Sequence, residues 1–275
     1  MYTTKFLSLT KYFSESIQPK AEIADSPLTL LLINSKNYVE ASGEQALRLA
    51  SAAEKVSKKL ARNKAEVSRS VQIVLALPAF SLGRVTFEYP RLAIYTQHLD
   101  NHPTGSTTGY LIPEVAKSFG ATGSLLNHSE HRIPVEDTKT LVRKLRELAM
   151  TSVVCARDSS EVTGFAGACP DYVAIEPPEL IGSGVAISKA RPELITDSRA
   201  ALDRAISESG NTNVRLLCGA GIVDPVDAER SVELGAEGIL VASGVVKSQD
   251  WFSSILGLAN GLIAGQEKSG RLLLK

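Results

Sequence analysis

A closed (β/α)8 barrel of the α/β class, in one domain, is the fold this sequence predicts. Three observations carry it. After Pro27 the 275-residue chain alternates short apolar runs with amphipathic ones. Eight such apolar runs fit into about 240 residues, the arithmetic of an eightfold strand–helix repeat. The competing open, doubly wound sheet needs a glycine fingerprint after its first strand, and here that strand ends in Asn34, Ser35, Lys36 and Asn37.

The apolar runs are LTLLLINSK (28–36), VQIVLALP (71–78), LAIYTQH (92–98) and GSLLNH (123–128), followed by TSVVCA (151–156), YVAIEP (172–177), VRLLCG (214–219) and GILVASG (238–244). Each is too short for a typical helix and rich in Val, Ile and Leu on both faces, as a parallel strand buried on both sides must be. Helical periodicity is clearest over 42–62, 135–149, 191–208, 225–234 and 250–264. Ser42 and Asp224 are the expected helix starts, the second reinforced by Pro225 in the first turn. Between Pro78 and Tyr89 there is room for little more than two turns. No low-complexity linker divides residues 28–275, which read as the barrel domain. Residues 1–27 read as an appended extension with one helix at most.

Charge and cysteine content narrow the partners. Thirty Lys plus Arg balance thirty Asp plus Glu, so no nucleic-acid or polyanion surface is expected and any anion site must be built locally. Cys155, Cys169 and Cys218 share no CxxC spacing, and two of them lie inside strand-like runs. They read as reduced core cysteines of a cytoplasmic protein. No apolar run approaches the roughly 18 residues a membrane span requires, and the front segment lacks the apolar block of a signal peptide.

In such a barrel the chemistry gathers at the C-terminal ends of the strands. Asn34 and Lys36 end the first run, Gln97 and His98 the third, Asn127, His128 and Glu130 the fourth, and Glu176 the sixth. Any one of these could be an ordinary satisfied strand end; the set is harder to dismiss, because chance would also place polar residues at the opposite ends. Glu176 is followed by Pro177 and Pro178 and then by Gly182 and Gly184, a segment stiff at its exit and free at its close. That is a plan for an acid–base carboxylate under a lid, although an edge carboxylate before a plain loop has the same local pattern. Turns at Gly219, Ala220 and Gly221 and at Ser243 and Gly244 follow the last two strands, where barrels commonly cradle a phosphate with backbone N–H groups. A small phosphorylated substrate follows as an expectation.

The four histidines suggest no metal site. His98 and His102 are four apart, but Pro103 follows and HExxH is absent; His128 and His131 flank Glu130 without further ligands at suitable spacing. A neutral imidazole suits His128 better, set just after an apolar strand and before a turn whose N–H groups can face it.

These motifs resemble the triosephosphate isomerase family, specifically its archaeal branch. The resemblance is carried by INSK (33–36), QH (97–98), TGYLIPE (108–114), NHSEHR (127–132), VAIEPPELIGSG (173–184), LLCGAGI (216–222) and LVASGVV (240–246). It implies no metal or organic cofactor and interconversion of dihydroxyacetone phosphate and D-glyceraldehyde 3-phosphate, a step of glycolysis and gluconeogenesis. It further implies Glu176 as the proton-transferring base, neutral His128 as the carbonyl polariser, Lys36 and Asn34 as substrate contacts and Glu130 as their support; the roles of the glutamate and the neutral histidine are a known pattern of pKa tuning in this family. Gly182, Gly184, Gly219, Ala220, Gly221, Ser243 and Gly244 would serve the phosphate. Thr108 matches a residue that reaches across a subunit interface, which implies a homodimer or homotetramer. The chain departs from the pattern at Ser35, Asn37, Thr107 and His131, and residues 1–27 have no counterpart. Alternative readings keep the barrel but give it another phosphorylated sugar as an isomerase or lyase, or make it a noncatalytic scaffold.

Overall fold

A computed structural model describes residues 29–62, 71–209 and 214–270. The expected front extension lies outside them. The chain runs β1 (Thr29–Asn34), a 3-10 turn (Val39–Ala41), α1 (Glu44–Arg62), β2 (Val71–Leu77), α2 (Ala79–Glu88) and β3 (Ala93–Thr96). It continues through α3 (Pro113–Ser118), β4 (Gly123–Leu126), α4 (Val135–Glu147), β5 (Thr151–Ala156), α5 (Ser159–Ala166) and β6 (Tyr172–Ile175). A second 3-10 turn (Pro178–Leu180) leads to α6 (Ile187–Ala190), α7 (Pro192–Ser209), β7 (Arg215–Cys218), α8 (Pro225–Glu233), β8 (Gly238–Val241), α9 (Ser243–Val246) and α10 (Trp251–Lys268). Every strand lies within an apolar run, all pairings are parallel, and β8 returns to β1 to close the barrel.

The two-sided burial of these strands has a simple origin. Successive side chains point to opposite faces, so Leu30 and Leu32 of β1 fill the barrel while Leu31 and Ile33 meet the helices outside. The same alternation puts Val153 and Cys155 of β5, and Tyr172 and Ala174 of β6, inside. Continued by one more step, it carries Asn34 and Glu176 to the inner face at the barrel's mouth.

The helical coat follows from amphipathic spacing. In α1, Ala46, Leu49, Ala50, Ala53, Val56 and Leu60 form one buried stripe at three- and four-residue intervals. At α8 the expected start holds, with Asp224 accepting a hydrogen bond from the Asp227 N–H at 2.8 Å. Ser42 behaves differently: its hydroxyl donates back to the Tyr38 carbonyl at 2.8 Å, and α1 begins only after Gly43, whose φ is +57°. The 3-10 turn that precedes it offers that carbonyl first, and this local bond competes with the cap.

One close packing was not foreseen. Gly261 of α10 lies so near α8 that a Cβ there would sit 2.1 Å from the Pro225 carbonyl oxygen, and one at Gly265 would sit 2.7 Å from that of Glu229. The glycines, four apart on one face, let the last helix seat backbone against backbone on its neighbour. Among the described residues, no helix is long and apolar enough to cross a membrane.

Candidate active site

The mouth of the barrel holds a cavity of about 180 Å³. Asn34, Lys36, His128, Glu130 and Glu176 all line it, together with Gly182, Gly184, Ala220, Gly221 and Ser243. Strand ends far apart in sequence are thereby brought to one space.

Glu176 and His128 face each other. The Glu176 carboxylate is buried, and its Oε2 lies 3.7 Å from His128 Nε2 without a hydrogen-bond partner. An acceptor left bare in a buried position costs free energy unless something arrives to use it, so the geometry favours an incoming proton donor. On the far side of the ring, the Glu130 N–H donates to His128 Nδ1 at 3.1 Å. A nitrogen that accepts carries no proton; the imidazole is therefore neutral, with its hydrogen on Nε2 and directed toward Glu176.

Strand alternation alone does not put His128 there. Leu125 faces the barrel interior and Leu126 the helices, so position 128 would face outward. Asn127 takes a left-handed conformation (φ +58°) that redirects the chain, and its amide secures the turn by donating to the Cys155 carbonyl at 3.1 Å while accepting from the Ile133 N–H at 3.2 Å. Asn tolerates this region better than most residues.

Lys36 is also left-handed, with φ +46°, a conformation that disfavours an L-residue by about 1–2 kcal/mol. Its strain is offset by a dense local network. Asn34 Oδ1 accepts the Lys36 N–H at 2.9 Å and Gln97 Nε2 at 3.2 Å, and the same Gln97 nitrogen donates to the Lys36 carbonyl at 3.0 Å. With its oxygen so engaged, Asn34, which lines the cavity, has its NH2 as the remaining group to offer a substrate. The Lys36 ammonium meets Glu130 Oε1 at 2.6 Å. Gln97 thus braces the site from behind; its place in the QH pair marked it as a polar strand end, but nothing in sequence spacing shows which loop it clamps. Tyr38 also lines the cavity, and as a loop aromatic outside any strand it gave no signal.

The two glycine turns divide into different tasks. Ala220 and Gly221 are consecutive left-handed residues, φ +69° and +71°, and they line the cavity. Gly219 does not. β6 and β7 pair Ile175 with Cys218, which sets Gly219 beside Glu176, and a Cβ at Gly219 would fall 2.4 Å from Glu176 Cγ. Gly244 likewise stands behind the wall, where a Cβ would be 2.8 Å from the Ile222 carbonyl oxygen. Below the carboxylate, burial and then the neighbouring Glu176 push the Cys155 thiol well above its ordinary range, and burial pushes Cys218 up to about 12. Both thiols stay protonated, so Cys155 places no second negative charge beside Glu176.

The remaining histidines pair elsewhere. His98 sets Nε2 3.2 Å from Asp100 Oδ1 and stacks on His131 with ring centroids 3.8 Å apart; His102 packs on Tyr110. Thr108 is exposed on the long β3–α3 loop and does not line the cavity.

A (β/α)8 barrel with a buried carboxylate, a neutral imidazole and a lysine converging on a small cavity defines an enzyme class, one built for proton transfer on a small molecule. The family model for triosephosphate isomerase matches residues 29–259. The chain is 45% identical over 240 residues to the triosephosphate isomerase of Cenarchaeum symbiosum (strain A), covering 87% of this chain and all of that one. It is 42% identical over 221 residues to that of Archaeoglobus fulgidus, covering 80% and 92% of the two chains, and 40% identical over 221 residues to that of Methanothermus fervidus, covering 80% and 93%. The chain belongs to the triosephosphate isomerase family. It is an intramolecular aldose–ketose isomerase that interconverts dihydroxyacetone phosphate and D-glyceraldehyde 3-phosphate.

Proposed function

We propose that Glu176 performs the proton transfer of this isomerisation, with His128 as its electrophilic partner. The carrying observation is the bare Glu176 Oε2 held 3.7 Å from the protonated nitrogen of a neutral His128. Glu176 removes a proton from the hydroxyl-bearing carbon of the ketose while the His128 Nε2–H hydrogen-bonds to the carbonyl oxygen. The electron pair moves into the new C–C double bond and onto that oxygen, giving an enediolate. Protons pass between its two oxygens through His128, and Glu176 returns its proton to the neighbouring carbon to form the aldose. No net proton is gained or lost.

Lys36 and the Asn34 NH2 supply positive charge and a donor for the developing oxyanion and the substrate's phosphate, positioned before the reaction begins. Glu130 steers both Lys36, through its carboxylate, and His128, through its N–H. Gly182, Gly184, Ala220, Gly221 and Ser243 offer backbone to the phosphate, while Gly219 and Gly244 give the carboxylate and the phosphate turn their room from behind. Pro177 to Gly184 act as the lid, which keeps water from the enediolate and so retains its phosphate.

The long loop bearing Thr108 is the surface on which we place a second copy of the chain, as a homodimer or homotetramer, and glycolysis and gluconeogenesis in the cytoplasm are the setting. Turnover in a coupled assay tests the central assignment. Glu176→Gln, nearly isosteric but without a basic oxygen pair, is expected to lose at least about a thousandfold in kcat. Equal turnover of variant and wild type would remove Glu176 from the role.

A further inference from the structure

The lid's two ends are held differently. Around Gly182 and Gly184, both left-handed and both lining the cavity, the lid is loosely packed: a Cβ at either would meet nothing within 4 Å. Its C-terminal end is docked onto the turn after β7: the Ile187 N–H donates to the Ala220 carbonyl at 3.3 Å, and a Cβ at Gly221 would lie 1.9 Å from the Val185 carbonyl oxygen. Beyond these backbone contacts, an ion pair also joins the two segments. Lys189, on α6, reaches Asp227 Oδ1 at 2.6 Å and Asp224 Oδ2 at 3.6 Å.

Asp227 is an unusual partner. Its side chain is 1% exposed, against 55% for Lys189, and a carboxylate so buried stays only where its charge is matched. Its second oxygen accepts the N–H of Val223, a residue of the cavity wall, at 3.3 Å. A continuous path therefore runs from the lid's C-terminal end through Lys189 and Asp227 to the wall of the substrate cavity.

We propose that Lys189 is a positioning residue for the isomerisation: through Asp227 it locks the root of the lid to the β7 turn, so that lid and phosphate-facing wall move as one unit. The lock rests on the reading of Pro177 to Gly184 as a lid. It touches no reacting atom, and its effect is to hold the enediolate enclosed. When the lock is absent, the enediolate is released or exposed more often; its C–O bond to phosphate then breaks, the electron pair of the enediolate expels inorganic phosphate, and an enol remains that tautomerises to a three-carbon ketoaldehyde.

The test is Lys189→Met in the full-length protein, with isomerisation and released inorganic phosphate measured together. The expected result is a fall in kcat/KM of about tenfold, carried mainly by KM, and a rise of similar size in phosphate released per turnover. Lys189→Arg, which keeps the charge and reach, should restore both. Because Lys189→Met also strands a buried carboxylate, the double variant Lys189→Met, Asp227→Asn is measured alongside: it should recover thermal stability yet still leak phosphate. Wild-type kcat/KM and phosphate release in both Met variants would overturn the lock. In that event Glu176→Gln, measured in parallel, separates the causes: its collapse leaves the site reading standing, and its full activity would remove both.

Discussion

Gly219 and Glu176 sit side by side just past the ends of the neighbouring strands β7 and β6, and the space the glutamate's Cγ needs is the space a side chain at 219 would fill. The separation would be 2.4 Å, closer than any real contact between carbon atoms. A position that looked like one more phosphate-facing glycine is in fact the recess into which the carboxylate folds.

Gly219→Ala is therefore expected to displace Glu176 while leaving the barrel folded. A shift of about 1 Å in a proton-transferring group can cost on the order of a hundredfold in rate. The check is kcat/KM beside a far-UV spectrum and a melting curve: activity should fall steeply with the spectrum unchanged. Wild-type activity would mean that the glutamate has another place to rest.

The contact between α8 and α10 yields a prediction of sign. Replacing an interior helical glycine with alanine normally stabilises by about 0.5–1 kcal/mol. At Gly261 the added methyl would meet the Pro225 carbonyl at 2.1 Å, and such overpacking typically costs about 1–3 kcal/mol. Gly261→Ala should thus lower the denaturant midpoint. Gly257→Ala, where the nearest atom is Pro225 Cγ at 3.3 Å, should leave it unchanged or raise it. Equal shifts at the two positions would contradict the packing described.

His98 gives the fold an acid-side dependence. Burial, against the opposing bond to Asp100 and with the help of the stacked His131, holds its pKa below the ordinary 6.5. The folded state thus prefers the neutral ring, and the unfolded chain takes up a proton first as pH falls. Its stabilising contribution is fully present above pH 6.5 and declines below it, until the folded-state value is passed. Denaturant midpoints between pH 7.5 and about pH 5 should decline less steeply for His98→Asn than for the wild type. Parallel profiles would refute the assignment.

Which of these features could be read from the chain depends on whether a residue's task is local. The strands were legible because burial on both faces imposes apolar runs on sequence, and Asp224 was legible because capping needs only residues three apart. Glu176, His128, Lys36 and Asn34 showed themselves as polar residues closing those runs. Gln97 was visible as a strand end, but its clamp on Asn34 and Lys36 spans more than sixty residues and depends on how β1 and β3 stand in the barrel. The last helix was legible over 250–264, but the task of Gly261 and Gly265 was not, because propensity cannot see a carbonyl on a neighbouring element. Ser42 misled because the hydroxyl has two carbonyl and amide choices within one turn, and only the preceding 3-10 segment decides between them. The short helices α3, α5, α6 and α9 offer too few residues for a period to emerge.

The alternation along the strands acts like a two-letter reading frame. Odd and even residues of each strand answer to different surroundings, the ring's interior and its helical jacket, and the frame runs unbroken from Tyr172 through Ala174 to Glu176. Loss of a single residue within β6 would exchange the two sets, sending the carboxylate outward among apolar helices and Ile175 into the barrel's interior. The connections between elements carry no such frame, so a change of length there leaves it intact, whereas one inside β6 would take the carboxylate out of the cavity.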